Sequence, residues 1–227
     1  MVKKTIFVLI SAFCCQQAYA GGVSLGATRL VYPASKEQVT LKIYNTDEKG
    51  NYLVQSWISD ENNNKSKEFI ITPPLFVIKS GSDNLLKVVF SGDKDSLPKD
   101  REKLLFLNAK VIPSLSEQEQ KIDNALLIST TTKIKVFVRP DSIKEDPFES
   151  YKLLKCSYDA GKIKVTNPSP FYMNLVSLSV NRKEISGAET ISPMSSVYLD
   201  GGSKGSFLSF DFINDYGVQV KNRQCHL

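Results

Sequence analysis

The chain has 227 residues, 41% of them hydrophobic, with 29 basic and 24 acidic side chains and a formal charge of +5. That length suits one large domain or two of about 100 residues each, and the scattered basic residues lack the dense clusters of a nucleic-acid binder. The single histidine, His226 beside the C-terminus, excludes a multi-histidine metal site and argues against a Ser-His-Asp or Cys-His centre, which needs a histidine held between two partners.

Residues 1–20 have the form of an export signal. Lys3 and Lys4 give a basic start, residues 6–15 are mostly apolar, and Ala18-Tyr19-Ala20 fits the small-x-small cleavage rule. The apolar run is too short to span a bilayer, so no membrane insertion is expected. Cleavage after Ala20 removes Cys14, Cys15 and two lysines, taking the formal charge from +5 to +3. An exported chain left with two cysteines, Cys156 and Cys225, most simply forms one disulfide. Closing a loop of about seventy residues, it would stabilise by about 4 kcal/mol on the chain-entropy account.

From the mature start onward, period-two alternation replaces helical periodicity. It recurs at Val39-Leu41-Ile43, Tyr52-Val54-Ser56-Ile58, Leu86-Val88-Phe90 and Leu105-Leu107-Ala109-Val111. Turn sequences lie between, at Asp47-Glu48-Lys49-Gly50, Asn62-Asn63-Asn64, Ser80-Gly81-Ser82 and Ser91-Gly92-Asp93. Short strands at this spacing predict an antiparallel sandwich of about seven strands, which places Trp57 in the core.

Residues 126–140 predict one long strand. Leu126, Ile128, Thr130, Thr132, Ile134, Val136 and Val138 share a face, and the run closes on Arg139-Pro140. Strands average about 5–6 residues, so part of this one should project beyond its sheet or lie on an edge. There it could add to a partner's sheet. The same pattern also fits an inner strand of an ordinary barrel. If the strand projects, Leu126, Ile128 and Thr130 lie outside the paired part.

Residues 141–150 are polar, contain Pro147 and predict a linker. Alternation then resumes at Ile163-Val165, residues 171–180, Val197-Leu199, residues 207–212 and Val218-Val220. This predicts a second, smaller all-β unit stapled by Cys156 and Cys225. The expected organisation is a signal at 1–20, one domain at 21–140 and another at 141–227. No Gly-rich phosphate loop joins a strand to a helix, and the acidic residues read as solvated surface. Neither cofactor, metal nor catalysis is expected.

Several motifs then point to one family. They are Leu97-Pro98-Lys99-Asp100-Arg101-Glu102 with Leu104-Leu105-Phe106-Leu107-Asn108 and Ile112-Pro113-Ser114; Thr132-Lys133-Ile134-Lys135-Val136-Phe137-Val138-Arg139-Pro140; and Phe212-Ile213-Asn214-Asp215-Tyr216-Gly217. Val23-Ser24-Leu25, Thr28-Arg29 and Asn167-Pro168-Ser169-Pro170-Phe171-Tyr172 fit as well. Together they resemble the periplasmic pilus-assembly chaperones of the chaperone–usher pathway. The prototype of that family is a familiar example of a sandwich fold, and donor-strand complementation of a familiar binding mode.

The resemblance implies an all-β chain of two immunoglobulin-like β-sandwich domains in an L-shaped, boomerang arrangement. It implies a non-enzymatic periplasmic chaperone of pilin or fimbrial subunits, working with an outer-membrane usher. On the resemblance, Leu126, Ile128 and Thr130 are donor-strand residues that enter the subunit's groove. Arg29 and Lys135 hold the subunit's C-terminal carboxylate, and Glu102, Arg139 and Asp215 form a charge network between the domains. The short connection at residues 116–124, without cysteine, resembles the short-loop subclass. The exposed edge leaves open a dimer that caps its own strand. Two alternatives compete: a pilus subunit or adhesin, for which residues 21–26 are too short and polar a donor strand, and a secreted carbohydrate-binding sandwich, which would expose aromatics on one face.

Overall fold

A computed structural model describes residues 21–114, 127–185 and 187–227. The expected signal at 1–20, Leu126 and the connection at 116–124 lie outside the described residues. The described chain is almost entirely strand and turn, arranged as two β-sandwiches, each with its own apolar core.

The first sandwich contains β1 (Val23–Leu25), β2 (Arg29–Pro33), β3 (Gln38–Asn45), β4 (Tyr52–Ser59), β5 (Phe69–Thr72), β6 (Leu75–Ile78), β7 (Asp83–Phe90), β8 (Lys103–Pro113) and β9 (Thr130–Arg139). One sheet runs β1-β3-β7-β5 and the other β2-β9-β8-β4-β6. Alternation decides what each sheet buries. Leu41 and Ile43, Val54 and Ile58, Leu86 and Val88, and Leu105 and Leu107 all face the inter-sheet core. Tyr32 is fully buried there, and its hydroxyl donates to the carbonyls of Lys36 and Glu37 while accepting from the Phe90 amide. The core therefore takes a polar atom without leaving it unpaired.

The second sandwich contains β10 (Lys155–Asp159), β11 (Lys162–Asn167), β12 (Met173–Val180), β13 (Lys183–Glu184), β14 (Glu189–Ile191), β15 (Ser195–Leu199), β16 (Phe207–Ile213) and β17 (Gln219–His226). Its sheets run β10-β11-β15 and β13-β12-β16-β17, with β14 also paired to β12. The predicted disulfide is present. Cys156 on β10 and Cys225 on β17 lie 5.9 Å apart at Cα and join the two sheets. The segment expected to be a linker ends in a short 3-10 turn at Ser150–Leu153, whose Tyr151 already belongs to the second core.

Three expectations need correction. The long strand starts at Thr130, so Leu127, Ile128 and Ser129 are outside it. Thr130 itself pairs with Val111, inside the sheet and not beyond it. Trp57 is not core: Val54, Ser56 and Ile58 point inward, which turns Trp57 to the outer face, where it is half-buried. The sandwich has nine strands among the described residues, because β1 and β2 pair in different sheets and β5 and β6 flank Pro73-Pro74 where the chain crosses between sheets.

Candidate functional site: an open strand edge ending at two cations

Strand β9 has two different halves. On one side it pairs antiparallel with β8 along its length, from Thr130↔Val111 to Val138↔Lys103. On the other side β2 pairs with it in parallel, but only from Arg29↔Lys135 to Pro33↔Arg139. Among the described residues no strand pairs with that second side over residues 130–134. Burial changes at the same place. Ile134, Val136 and Val138 are core, while Thr130 and Thr132 on the same face are exposed and Ile128 just before the strand is 65% exposed. The apolar alternation thus continues past the end of the chain's own core.

The open edge stops at Arg29 and Lys135, which are opposite each other across β2 and β9. Both project from the outer face of the sheet and reach the second sandwich. The Arg29 Nη1 donates to the Ile213 carbonyl at 3.1 Å, and its buried Nε finds no acceptor among the described residues. The Lys135 Nζ donates to Asn174 Oδ1 and Thr190 Oγ1, each at 2.5 Å. Burial lowers the pKa of both cations. Asp215 opposes the shift at Arg29, whereas Arg29 adds to the shift at Lys135. Two half-buried positive charges therefore sit side by side with mainly neutral acceptors. A carboxylate brought there would relieve their repulsion and supply the missing acceptors.

Beside them, Arg139 lies between two acids. Its Nε donates to Glu102 Oε1 at 2.8 Å, and Nη1 and Nη2 donate to Asp215 Oδ2 and Oδ1 at 2.8 and 3.1 Å. Its guanidinium also lies 4.9 Å from the centre of the Phe171 ring. Glu102 is almost fully buried; burial raises its pKa and Arg139 opposes the rise. Its Oε2 accepts from the Tyr172 amide at 2.8 Å, and its own amide donates to the Pro170 carbonyl at 2.9 Å.

Local sequence explains why those backbone groups are available. Asn167 is fully buried and braces the loop 167–172: its Nδ2 donates to the Phe171 carbonyl at 2.7 Å, and its Oδ1 accepts from Ser169 Oγ at 2.7 Å. Pro168 and Pro170 carry no amide hydrogen and limit the alternatives. Asp215 is presented by the turn between β16 and β17. There Asn214 Oδ1 accepts from the amides of Tyr216 and Val218, and Gly217 has φ +79°.

The structure therefore brings Arg29 and Lys135 together, and Glu102, Arg139 and Asp215 together, at the junction of the sandwiches. Of the three expected donor-strand residues, Ile128 is exposed before β9, Thr130 is exposed at its start, and Leu126 is outside the described residues. Sequence reading missed Asn174 and Thr190. No spacing betrays a side chain whose role is to accept from a lysine on another sheet.

Comparison with known proteins agrees along the whole described chain. Residues 22–144 match the family described as pili and flagellar-assembly chaperone, PapD N-terminal domain. Residues 149–224 match pili assembly chaperone PapD, C-terminal domain. The chain is 39% identical over 228 residues to the probable fimbrial chaperone SfmC of Escherichia coli K12, covering 100% of this chain and 98% of that protein. It is 37% identical over 220 residues to the probable fimbrial chaperone protein ElfD of Escherichia coli O157:H7, covering 96% and 92%. Among solved structures, the complex of Salmonella enterica SafA pilin with the SafB chaperone superposes with a TM-score of 0.80 at 32% identity, covering 93% of this chain and 99% of that one.

Proposed function

Since the chain belongs to the PapD family of pilus-assembly chaperones, we propose that it captures a pilin subunit by lending it the open edge of β9, with Arg29 and Lys135 holding the subunit's terminal carboxylate. The observation that carries this reading is the coincidence of two boundaries: the edge over residues 130–134 stops where the two cations begin.

That coincidence favours one direction. A strand added on this edge lies end to end with β2, which runs parallel to β9. If the incoming strand is also parallel, its carboxylate arrives at Arg29 and Lys135. If it is antiparallel, its terminal ammonium meets two cations. Electrostatics selects the first, and the anchored end then sets the register, since a one-residue slip would turn every side chain over. Main-chain hydrogen bonds supply affinity, and Ile128 and Thr130 offer side chains to the subunit's incomplete core. The solved relative bound to a pilin supports a subunit partner.

Glu102, Arg139 and Asp215 fit the role of holding the two sandwiches, assigned to residues 21–140 and 141–227, at a fixed angle. A buried charged triad contributes orientation more surely than net stability. The expected setting is the periplasm, after removal of residues 1–20, with delivery to an outer-membrane usher and no chemical turnover. A dimer that caps its own edge would compete with the subunit for residues 130–134.

The test is a pair of labelled peptides of alternating Val and Thr, one ending in a free carboxylate and one in an amide. The free acid should bind at least about tenfold more tightly, a difference of about 1.4 kcal/mol. The preference should disappear in Arg29→Ala and Lys135→Ala. Equal binding of acid and amide by the native protein would refute the anchor.

A further inference from the structure

The turn between β16 and β17 meets the first sandwich at three points. The Ile213 carbonyl accepts from Arg29, the Asp215 carboxylate accepts from Arg139, and Gly217 lies against Thr28. The third contact has no hydrogen bond to advertise it. A Cβ added at Gly217 would stand 2.5 Å from Thr28 Oγ1, closer than real Cβ contacts come, while Thr28 Cβ at 3.7 Å is an ordinary neighbour.

We propose that Gly217 is a positioning residue, whose missing side chain lets the turn seat against Thr28 and thereby sets where Arg29 stands beside Lys135. The inference rests on the reading of Arg29 and Lys135 as the carboxylate anchor. Thr28 is the residue immediately before Arg29, at the start of β2. The turn itself is braced and cannot easily give way. Asn214 Oδ1 accepts from two amides, the Gly217 amide donates to the Asn214 carbonyl at 3.0 Å, and the Asn214 amide donates to the Val218 carbonyl at 3.0 Å. Asp215 is held by two hydrogen bonds to Arg139. A methyl group at position 217 would therefore push on Thr28, which is exposed but directly precedes Arg29, and the displacement needed to restore ordinary contact is roughly 1 Å. Arg29 moves with it, away from a partner fixed by Asn174 and Thr190. Losing joint contact with both carboxylate oxygens lowers affinity without touching either core.

A side chain at Gly217 has a second effect, because φ +79° is unfavourable for residues with a Cβ. Backbone strain is independent of Thr28, whereas the clash requires its hydroxyl, so a double-mutant cycle separates the two. Binding of the free-acid peptide would be measured for the native protein, Gly217→Ala, Thr28→Ala, the double variant and Arg29→Ala. Gly217→Ala should weaken binding about tenfold or more, the equivalent of losing one good contact. In the Thr28→Ala background the same change should cost less than about threefold, whatever Thr28→Ala costs alone. An equal loss in both backgrounds would assign the effect to the turn's backbone and overturn the inference, as would native affinity in Gly217→Ala. If Arg29→Ala itself binds like the native protein, the anchor falls first and the inference with it.

Discussion

Arg139 joins the two sandwiches through contacts to an acid of each. It is the cation between Glu102, which is almost fully buried, and Asp215 across the junction. Glu102 has a raised folded-state pKa because burial outweighs the help from Arg139. An acid of this kind binds its proton more tightly folded than unfolded, so its contribution to stability falls as pH rises from the ordinary glutamate value, 4.5, through the folded value. Arg139→Ala removes the main opposing influence and widens that window. The variant should lose about 3–5 kcal/mol, the usual result of leaving a buried charge unpaired. The loss should be larger at pH 8 than at pH 5, and Glu102→Gln should relieve part of it. Urea unfolding at the two pH values checks this; a deficit independent of pH would mean that Glu102 charge is not its source.

At the scale of the element, β9 is one strand with two environments. Its second half is flanked by β2 and β8 and contributes Ile134, Val136 and Val138 to the core. Its first half carries Thr130 and Thr132 on the same face, with Ile128 just before them, and none of the three is buried. Ile128→Asp should therefore change stability by no more than about 0.5 kcal/mol, as for an exposed position. It should strongly weaken subunit capture, since a carboxylate would enter the subunit's apolar groove unpaired. Ile134→Asp, six residues along the same face, should unfold the first sandwich. Thermal melts and subunit pull-downs on the pair distinguish the halves; a large drop in melting temperature for Ile128→Asp would make it ordinary core.

The same strand shows what alternation can and cannot convey. It located β3, β4, β7, β8 and the body of β9, because each carries several inward apolar residues in succession. It could not say where β9 starts, since the pattern runs on after the core has ended. It passed over β1, β2, β5 and β6, whose three to five residues give too few alternations to stand out, β5 and β6 lying beside Pro73 and Pro74. It misplaced Trp57 because a tryptophan in a strand looks buried until the inward set, Val54, Ser56 and Ile58, is fixed by the partner strands. At the junction, the charged residues were legible as motif members. Their neutral supports, Asn167, Asn174 and Thr190, become visible only when separate sheets are brought together.

At the scale of the whole molecule, each sandwich has its own core and the disulfide belongs to one of them. Replacing Cys156 and Cys225 by Ser should destabilise the second sandwich by about 4 kcal/mol on the chain-entropy account. The first should keep its melting transition. Calorimetry with and without reductant checks this, and a single transition that shifts as a whole would show that the sandwiches unfold as one unit. Because β16 and β17 carry the turn with Ile213, Asp215 and Gly217, loss of the second sandwich should also end the preference for a free carboxylate, while the open edge remains.

That edge has a consequence for selectivity. Along residues 130–134 it offers an incoming strand mostly amides and carbonyls, which every sequence possesses, and on the proposed reading the two cations at its end would meet a feature common to all chain termini. Neither carries information about sequence. A device built in this way distinguishes direction and ending, not identity, and can serve a whole set of related subunits with one surface. Any discrimination among them must come from side chains that do not make the anchoring contacts, such as Ile128 and Thr130 on the apolar face and Lys133 on the other. Changes at those positions would alter which subunits fit while leaving the direction and the anchored end as they are.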